Sequence, residues 1–115
     1  MPTITPVIPT GLTNGKAAKV VASSTPGTTF HTAVTGTVSF DEVFLYVSNT
    51  DTAERAVTIE LGGVTSPDNL VKMNIPAGET ACVIPGVRLY NGLVIGVFAS
   101  AANVLTMFGN VNRYA

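Results

Sequence analysis

The sequence predicts an all-β protein: a single-domain antiparallel β-sandwich (jelly-roll-like) or barrel with an extended N-terminal arm. Three observations predict this fold. About seven to nine short β-rich runs are separated by turn residues, roughly every eight to twelve positions. No long segment has the periodicity of an amphipathic helix. The 115 residues, of which 46% are hydrophobic, suffice for one core.

Residues 1–15 are predicted to form the arm, and residues 16–115 the sandwich domain. Prolines break regular strand pairing in the arm and favour an extended path. Its apolar residues suit three alternatives: contact with a neighbouring subunit, addition to a sheet edge, or a frayed terminus. The candidate partner-binding residues of the arm are Ile4, Pro6, Val7, Ile8, Pro9 and Leu12.

Residues 43–63 carry the clearest strand signal in the chain. VFLYV (residues 43–47) is rich in β-branched and aromatic residues, and RAVTIEL (residues 55–61) alternates between two faces. The intervening SNTDTAE is typical of a turn. We therefore predict a β-hairpin with one face on the core.

The remaining runs predict further short strands. Pro85-Gly86 is predicted to end one strand, and Asn91-Gly92 is the strongest hairpin turn in the sequence. The nearly continuous apolar run LVIGVFA indicates a strand in the centre of a sheet. These strands are predicted at residues 19–22, 29–34, 70–75, 79–84, 87–90, 93–99 and 104–112.

The charge pattern argues against several classes of function. Only 11% of residues are charged and the net charge is −1, so part of the surface is either rich in neutral polar groups or buried against partners. The six basic residues are scattered, which argues against nucleic-acid binding. No apolar run approaches the roughly 20 residues of a membrane span. The N-terminus lacks the pattern of a secretory signal.

No group of residues predicts a catalytic, cofactor or metal site, so we expect a protein that is not an enzyme. His31 is the only histidine and is expected to be structural, which argues against a zinc site. Cys82 is the only cysteine and is expected to be a buried small hydrophobe. The carboxylates lie mostly in turns, and Asn49, Asp51 and Glu54 match no calcium loop. The aromatic residues are expected to pack mostly in the core.

The stretch MNIPAGETACVIPGVRLYNGLVIGVFASAANVLTMFGNV, with its IPAGE turn and its NGLVIGVFAS run, resembles small virion proteins of tailed bacteriophages. Together with the arm, the low charge and the all-β body, it is most similar to head decoration (cement) proteins. The resemblance implies a homo-oligomer, with a trimer as one form, made in the host cytoplasm and bound to the capsid surface. The arm would contact the major capsid protein or other virion subunits.

Three other functions are compatible with the sequence. One is a phage tail or fibre/adaptor component. Another is a carbohydrate-binding β-sandwich module, although the absence of tryptophan counts against an aromatic sugar platform. The third is a small enzyme, which the missing catalytic constellation disfavours.

Overall fold

A computed structural model describes residues 3–115 and confirms the all-β prediction: two antiparallel sheets pack face to face as a single-domain β-sandwich. The described residues form nine strands. Their bounds are β1 Ile4–Val7, β2 Ala18–Lys19, β3 Thr28–Thr32, β4 Phe40–Asn49, β5 Arg55–Leu61, β6 Leu70–Ile75, β7 Thr80–Leu89, β8 Val94–Ala99 and β9 Leu105–Tyr114.

The strand order is that of a jelly roll. Sheet A has the order β1-β9-β4-β7, with β2 also paired to β9, and sheet B has the order β3-β8-β5-β6. The chain is paired in nested fashion: β1 and β2 with β9, β3 with β8, β4 with β7, and β5 with β6. Successive nested pairs alternate between the sheets, which is how a jelly roll winds an antiparallel ribbon into a sandwich.

The core lies between the inner faces of the two sheets. Strand β4 shows it most clearly, because Val43, Leu45 and Val47 are fully buried while the residues between them are half-buried. From sheet B, Val57 and Ile59 of β5 face them and are also fully buried. Each such side chain removed from water contributes about 1.5–3 kcal/mol.

The predicted hairpin at residues 43–63 is wrong, although both of its strands exist. β4 pairs with β7 and β9 in sheet A, and β5 pairs with β6 and β8 in sheet B. The polar turn therefore carries the chain from one layer to the other. Asn49 holds this crossover: its side-chain amide donates to the carbonyls of Ala53 and Ile75, each at 2.9 Å.

The prediction that Pro85-Gly86 ends a strand is also wrong, because β7 continues to Leu89. Two register shifts against β4 leave Val83 and Gly86 as extra residues. β7 is an edge strand of sheet A, where a proline and a bulge are tolerated because no second neighbour needs the missing N–H.

The Asn91-Gly92 turn has the predicted conformation but not the predicted connection. Both residues have positive φ, 63° and 67°, as a tight Asn-Gly turn requires. The flanking strands β7 and β8 lie in different sheets, so the turn joins the layers and closes no hairpin.

The described part of the predicted arm runs along the sandwich; residues 1 and 2 lie outside the described residues. β1 pairs antiparallel with β9 of the same chain, with Ile4 opposite Tyr114. Beyond it, the backbone N–H of Gly11 donates to the Phe30 carbonyl at 2.7 Å. A Cβ at Gly11 would collide with the backbone of Thr29, so this close approach needs a glycine. The boundary at residue 15 stays a prediction.

Candidate functional site

The six candidate residues of the arm do not gather on one surface. Ile4 and Ile8 are 57% and 51% exposed, and Pro6 is also exposed. The others turn toward the body of the protein: Val7 is half-buried against the core, and Pro9 and Leu12 are buried.

The only histidine lies in a buried polar cluster that links the two sheets. His31 of β3 and Asp41 of β4 are both fully buried, and His31 Nε2 lies 2.7 Å from Asp41 Oδ2. Arg113 of β9 binds the same carboxylate with two hydrogen bonds, from Nε to Oδ1 at 2.8 Å and from Nη2 to Oδ2 at 3.0 Å. The backbone N–H of Val34 also donates to Oδ2, at 3.1 Å.

A β-bulge explains how His31 enters the interior. The register of β3 against β8 shifts between Thr29 and His31, so Phe30 is the extra residue. In a regular strand consecutive side chains point to opposite faces, but here Phe30 and His31 are both fully buried.

The histidine–carboxylate pair looks like a general base, but its geometry fits a structural role. The backbone N–H of Thr10 donates to His31 Nδ1 at 3.1 Å, so that nitrogen acts as an acceptor. Nε2 is then the donor to Asp41. Both ring nitrogens are occupied inside the protein, and no ring atom is exposed to accept a proton from a substrate.

Asp41 is held in its charged form by this cluster. Burial by itself raises the pKa of Asp41, but the hydrogen bonds from Arg113 and His31 and the charge of Arg113 outweigh it and bring the pKa below its ordinary value of 3.8. The same contact raises the pKa of Arg113. The cluster therefore ties β3, β4, β9 and Thr10 of the arm together.

The expectation that Cys82 is buried is wrong, because its side chain is exposed. The bulge at Val83 is the reason: Val83 and Ile84 both turn into the core, and Cys82 moves to the outer side of sheet A opposite Tyr46. His31 is buried in the interior, so the two residues do not form a nucleophilic pair.

The outer side of sheet A carries most of the aromatic residues. Of the eight in the chain, only Phe30 is fully buried, so the expectation that most pack in the core is wrong. Six others are half-buried and lie on or beside the outward positions of β4, β7 and β9. We call this surface the aromatic face: Phe40, Phe44, Tyr46, Tyr90, Phe108 and Tyr114.

Cross-strand stacking organises the aromatic face. Phe40 and Tyr114, opposite each other on β4 and β9, stack with ring centroids 4.6 Å apart and planes 16° apart. Tyr46 and Phe108 stack in the same way, at 5.3 Å and 12°. Tyr90 packs on Phe40 at 5.2 Å. Such pairs favour offset stacking because of the quadrupole of the rings.

Few charged side chains lie on this surface. Arg88 lies with its guanidinium carbon 4.8 Å from the centroid of Phe40, and Glu42 is its register partner on β4. Farther along, Tyr46, Ser48, Thr106 and Phe108 are neutral. At the other end the exposed Lys19 of β2 is the register partner of Thr106. Aromatic residues and arginine with few other charges are typical of the centre of a protein–protein interface.

The spacing of three aromatic residues in the sequence is a signal for the aromatic face, but the apolar residues between them make it ambiguous. Phe40, Phe44 and Tyr46 are separated by even numbers of residues, which places them on one side of a strand. VFLYV is apolar at every position, however, so its pattern alone does not tell which side is buried.

The described residues give no metal site and no membrane-spanning helix. No three His, Cys, Asp or Glu side chains gather there to hold a metal ion. No helix within residues 3–115 is long and apolar enough to cross a bilayer. Comparison with protein-family models, curated proteins and solved structures gave no match.

Proposed function

We propose that the protein is a structural virion subunit, a decoration (cement) protein that binds the outer surface of a tailed-phage head and stabilises it through subunit contacts. The observation that carries the proposal is the aromatic face, a stacked apolar surface on the solvent side of sheet A. Its partners would be the major capsid protein or other copies of this chain.

The size of the aromatic face fits one subunit contact. β4 and β9 are each ten residues long. At about 3.3 Å per residue and about 4.8 Å between strands, the outer side of sheet A, taken as four strands wide, spans on the order of 600 Å². A stable interface buries about 800 Å² on each partner, so this face supplies most of one standard contact.

The energetics favour repeated weak contacts over one strong contact. A little over half of such a surface is apolar, and at about 25 cal/mol per Å² the burial of that apolar part contributes on the order of 10 kcal/mol. Association itself costs about 4–15 kcal/mol, so a single contact leaves little net affinity. A protein that binds a shell in many linked copies gains the affinity that a single contact lacks through avidity.

The arm extends the same surface. Ile4 is the register partner of Tyr114, so its exposed side chain lies beside the aromatic face, with Pro6 following two residues later. The arm therefore adds apolar area to sheet A while Leu12 anchors it in the core.

The stacking geometry favours protein docking over sugar binding. Rings about 5 Å apart with nearly parallel planes overlap face to face, so each covers part of its neighbour. A sugar platform needs open ring faces lying flat on the surface. A jelly-roll sandwich occurs in both viral capsid and lectin domains, so the fold alone does not choose between them.

The test is co-sedimentation with phage heads purified from cells that produce the chain, followed by cryo-electron microscopy. We expect copies on the outer head surface, and we expect Phe108→Lys to lose binding because it buries a charge in the contact. Asn74→Lys is the matched control, because Asn74 is exposed on β6, an edge strand of sheet B, the sheet opposite the aromatic face. Absence of the chain from the heads, or equal binding by both variants, would contradict the proposal.

A further inference from the structure

A groove on the outer side of sheet B contains a buried carboxylate without a cation. Its volume is about 320 Å³, within the lower range of ligand sites. Five glycines, among them Gly63 and Gly96, form much of its lining, and Val64, Leu93 and Val94 supply exposed apolar walls. We call it the Glu60 groove, after the carboxylate that lines it.

Glu60 points away from the core because its strand neighbours Ile59 and Leu61 face inward. The residue is nevertheless only 3% exposed. Thr25 donates its hydroxyl to Oε2 at 2.6 Å, and the backbone N–H of Gly27 donates to Oε1 at 2.7 Å. Gly96 lies opposite on β8, and a Cβ there would be 2.5 Å from Oε1, so the glycine provides the space that the carboxylate occupies.

None of the ion pairs among residues 3–115 involves Glu60. A carboxylate removed from water is normally paired, since neutral donors compensate only part of its lost hydration. It can accept about four hydrogen bonds, and Glu60 accepts two. Acceptor positions therefore remain for a donor that enters from the groove.

We propose that the Glu60 groove binds an arginine side chain presented by a protein partner. A guanidinium forms two parallel hydrogen bonds with a carboxylate and matches its charge. Its aliphatic stem packs on apolar surface, which Val64, Leu93 and Val94 provide. The glycine lining lets the planar group approach the backbone. The site lies on the sheet opposite the aromatic face and serves a second, independent contact.

The test is an NMR titration of the ¹⁵N-labelled protein with acetyl-Gly-Arg-Gly-amide. The comparison peptide has citrulline in place of arginine, which keeps the shape and removes the charge. We expect the arginine peptide to shift the amide signals of the groove, including those of Gly63 and Gly96. Its affinity for the groove should decrease as the salt concentration rises. The citrulline peptide should bind about tenfold more weakly. Equal binding of both peptides, or no shift at millimolar arginine peptide, would overturn the proposal.

Two variants and one control locate the binding. Glu60→Gln keeps the shape of the side chain and should lose the preference for arginine over citrulline. Val94→Lys places a competing cation at the rim of the groove, where Val94 is 40% exposed, and should block binding of the peptide. This variant keeps Glu60, so it tests the site even if Glu60→Gln folds poorly. Glu54→Gln, an exposed carboxylate in the β4–β5 crossover, should bind as the wild type does. Undiminished arginine binding by Val94→Lys would also overturn the proposal.

Discussion

Tyr46 and Phe108 lie opposite each other on β4 and β9 and stack with ring centroids 5.3 Å apart on the solvent side of sheet A. The pair joins the two central strands of the sheet from outside, while Val47 and Met107 join them from the core. The aromatic face is thus both a stabilising layer of the sandwich and the surface proposed for docking.

A double-mutant cycle should measure this stack. Tyr46→Ala, Phe108→Ala and the double variant should show a coupling of about 0.5–1.5 kcal/mol in urea denaturation. Tyr46→Ala with Tyr114→Ala is the control, because Tyr114 pairs with Phe40 six positions away along β4. Its coupling should be near zero. Additive effects of Tyr46 and Phe108 would show that the stack has no energetic role.

The buried cluster should dominate the electrostatic stability of the fold. Asp41→Asn leaves Arg113 and the His31 donor without their shared anion, and we expect a loss of about 2–4 kcal/mol in unfolding free energy. Asp51→Asn is the matched control, because it breaks the partly exposed pair with Arg55. It should cost much less. Similar losses in the two variants would contradict the structural role of the cluster.

The lowered pKa of Asp41 predicts a loss of stability in acid. The carboxyl has a lower pKa in the folded than in the unfolded protein, so its contribution is complete above its ordinary pKa of 3.8. It falls as the pH drops below about 4 and through the folded pKa. Wild-type unfolding free energy measured from pH 6 to pH 2 should therefore drop more steeply below pH 4 than that of Asp41→Asn. Parallel curves would exclude Asp41 as the source.

Two truncations should separate the roles of the arm. Deletion through Ile8 removes β1 and its exposed apolar residues but keeps Leu12 in the core and the Thr10 N–H on His31. Deletion through Thr13 removes those anchors too and should cost about 2–4 kcal/mol more in unfolding free energy. Chemical denaturation of the two proteins checks this. Equal stability would show that Thr10 and Leu12 contribute nothing.

The sequence predicted the fold class because local patterns determine it. Residues 70–75 alternate and form β6, and the apolar run at 93–99 contains β8, which lies between β3 and β5. Pairing partners were not predictable, because the same polar turn can close a hairpin or cross between layers. Asn49 decides this through its bond to the Ile75 carbonyl, 26 residues away.

The candidate site was harder to predict because bulges change which side a residue faces. Single extra residues in β3 and β7 bury His31 and expose Cys82, and neither bulge has a local pattern that identifies it. The arm residues were named from their apolar character, which does not separate Ile4, exposed beside the aromatic face, from Leu12 in the core. The buried Glu60 appears in sequence as an ordinary polar residue on the outer side of an alternating strand.

The reactivity of Cys82 offers the most direct test of docking through sheet A. It is the only thiol in the chain and lies exposed opposite Tyr46, at the aromatic face. The measurement is the rate of labelling by a maleimide reagent, in the free protein and in the protein bound to purified phage heads. We predict rapid labelling of the free protein and strong protection in the bound protein. Equal labelling rates in the two states would contradict docking through the aromatic face.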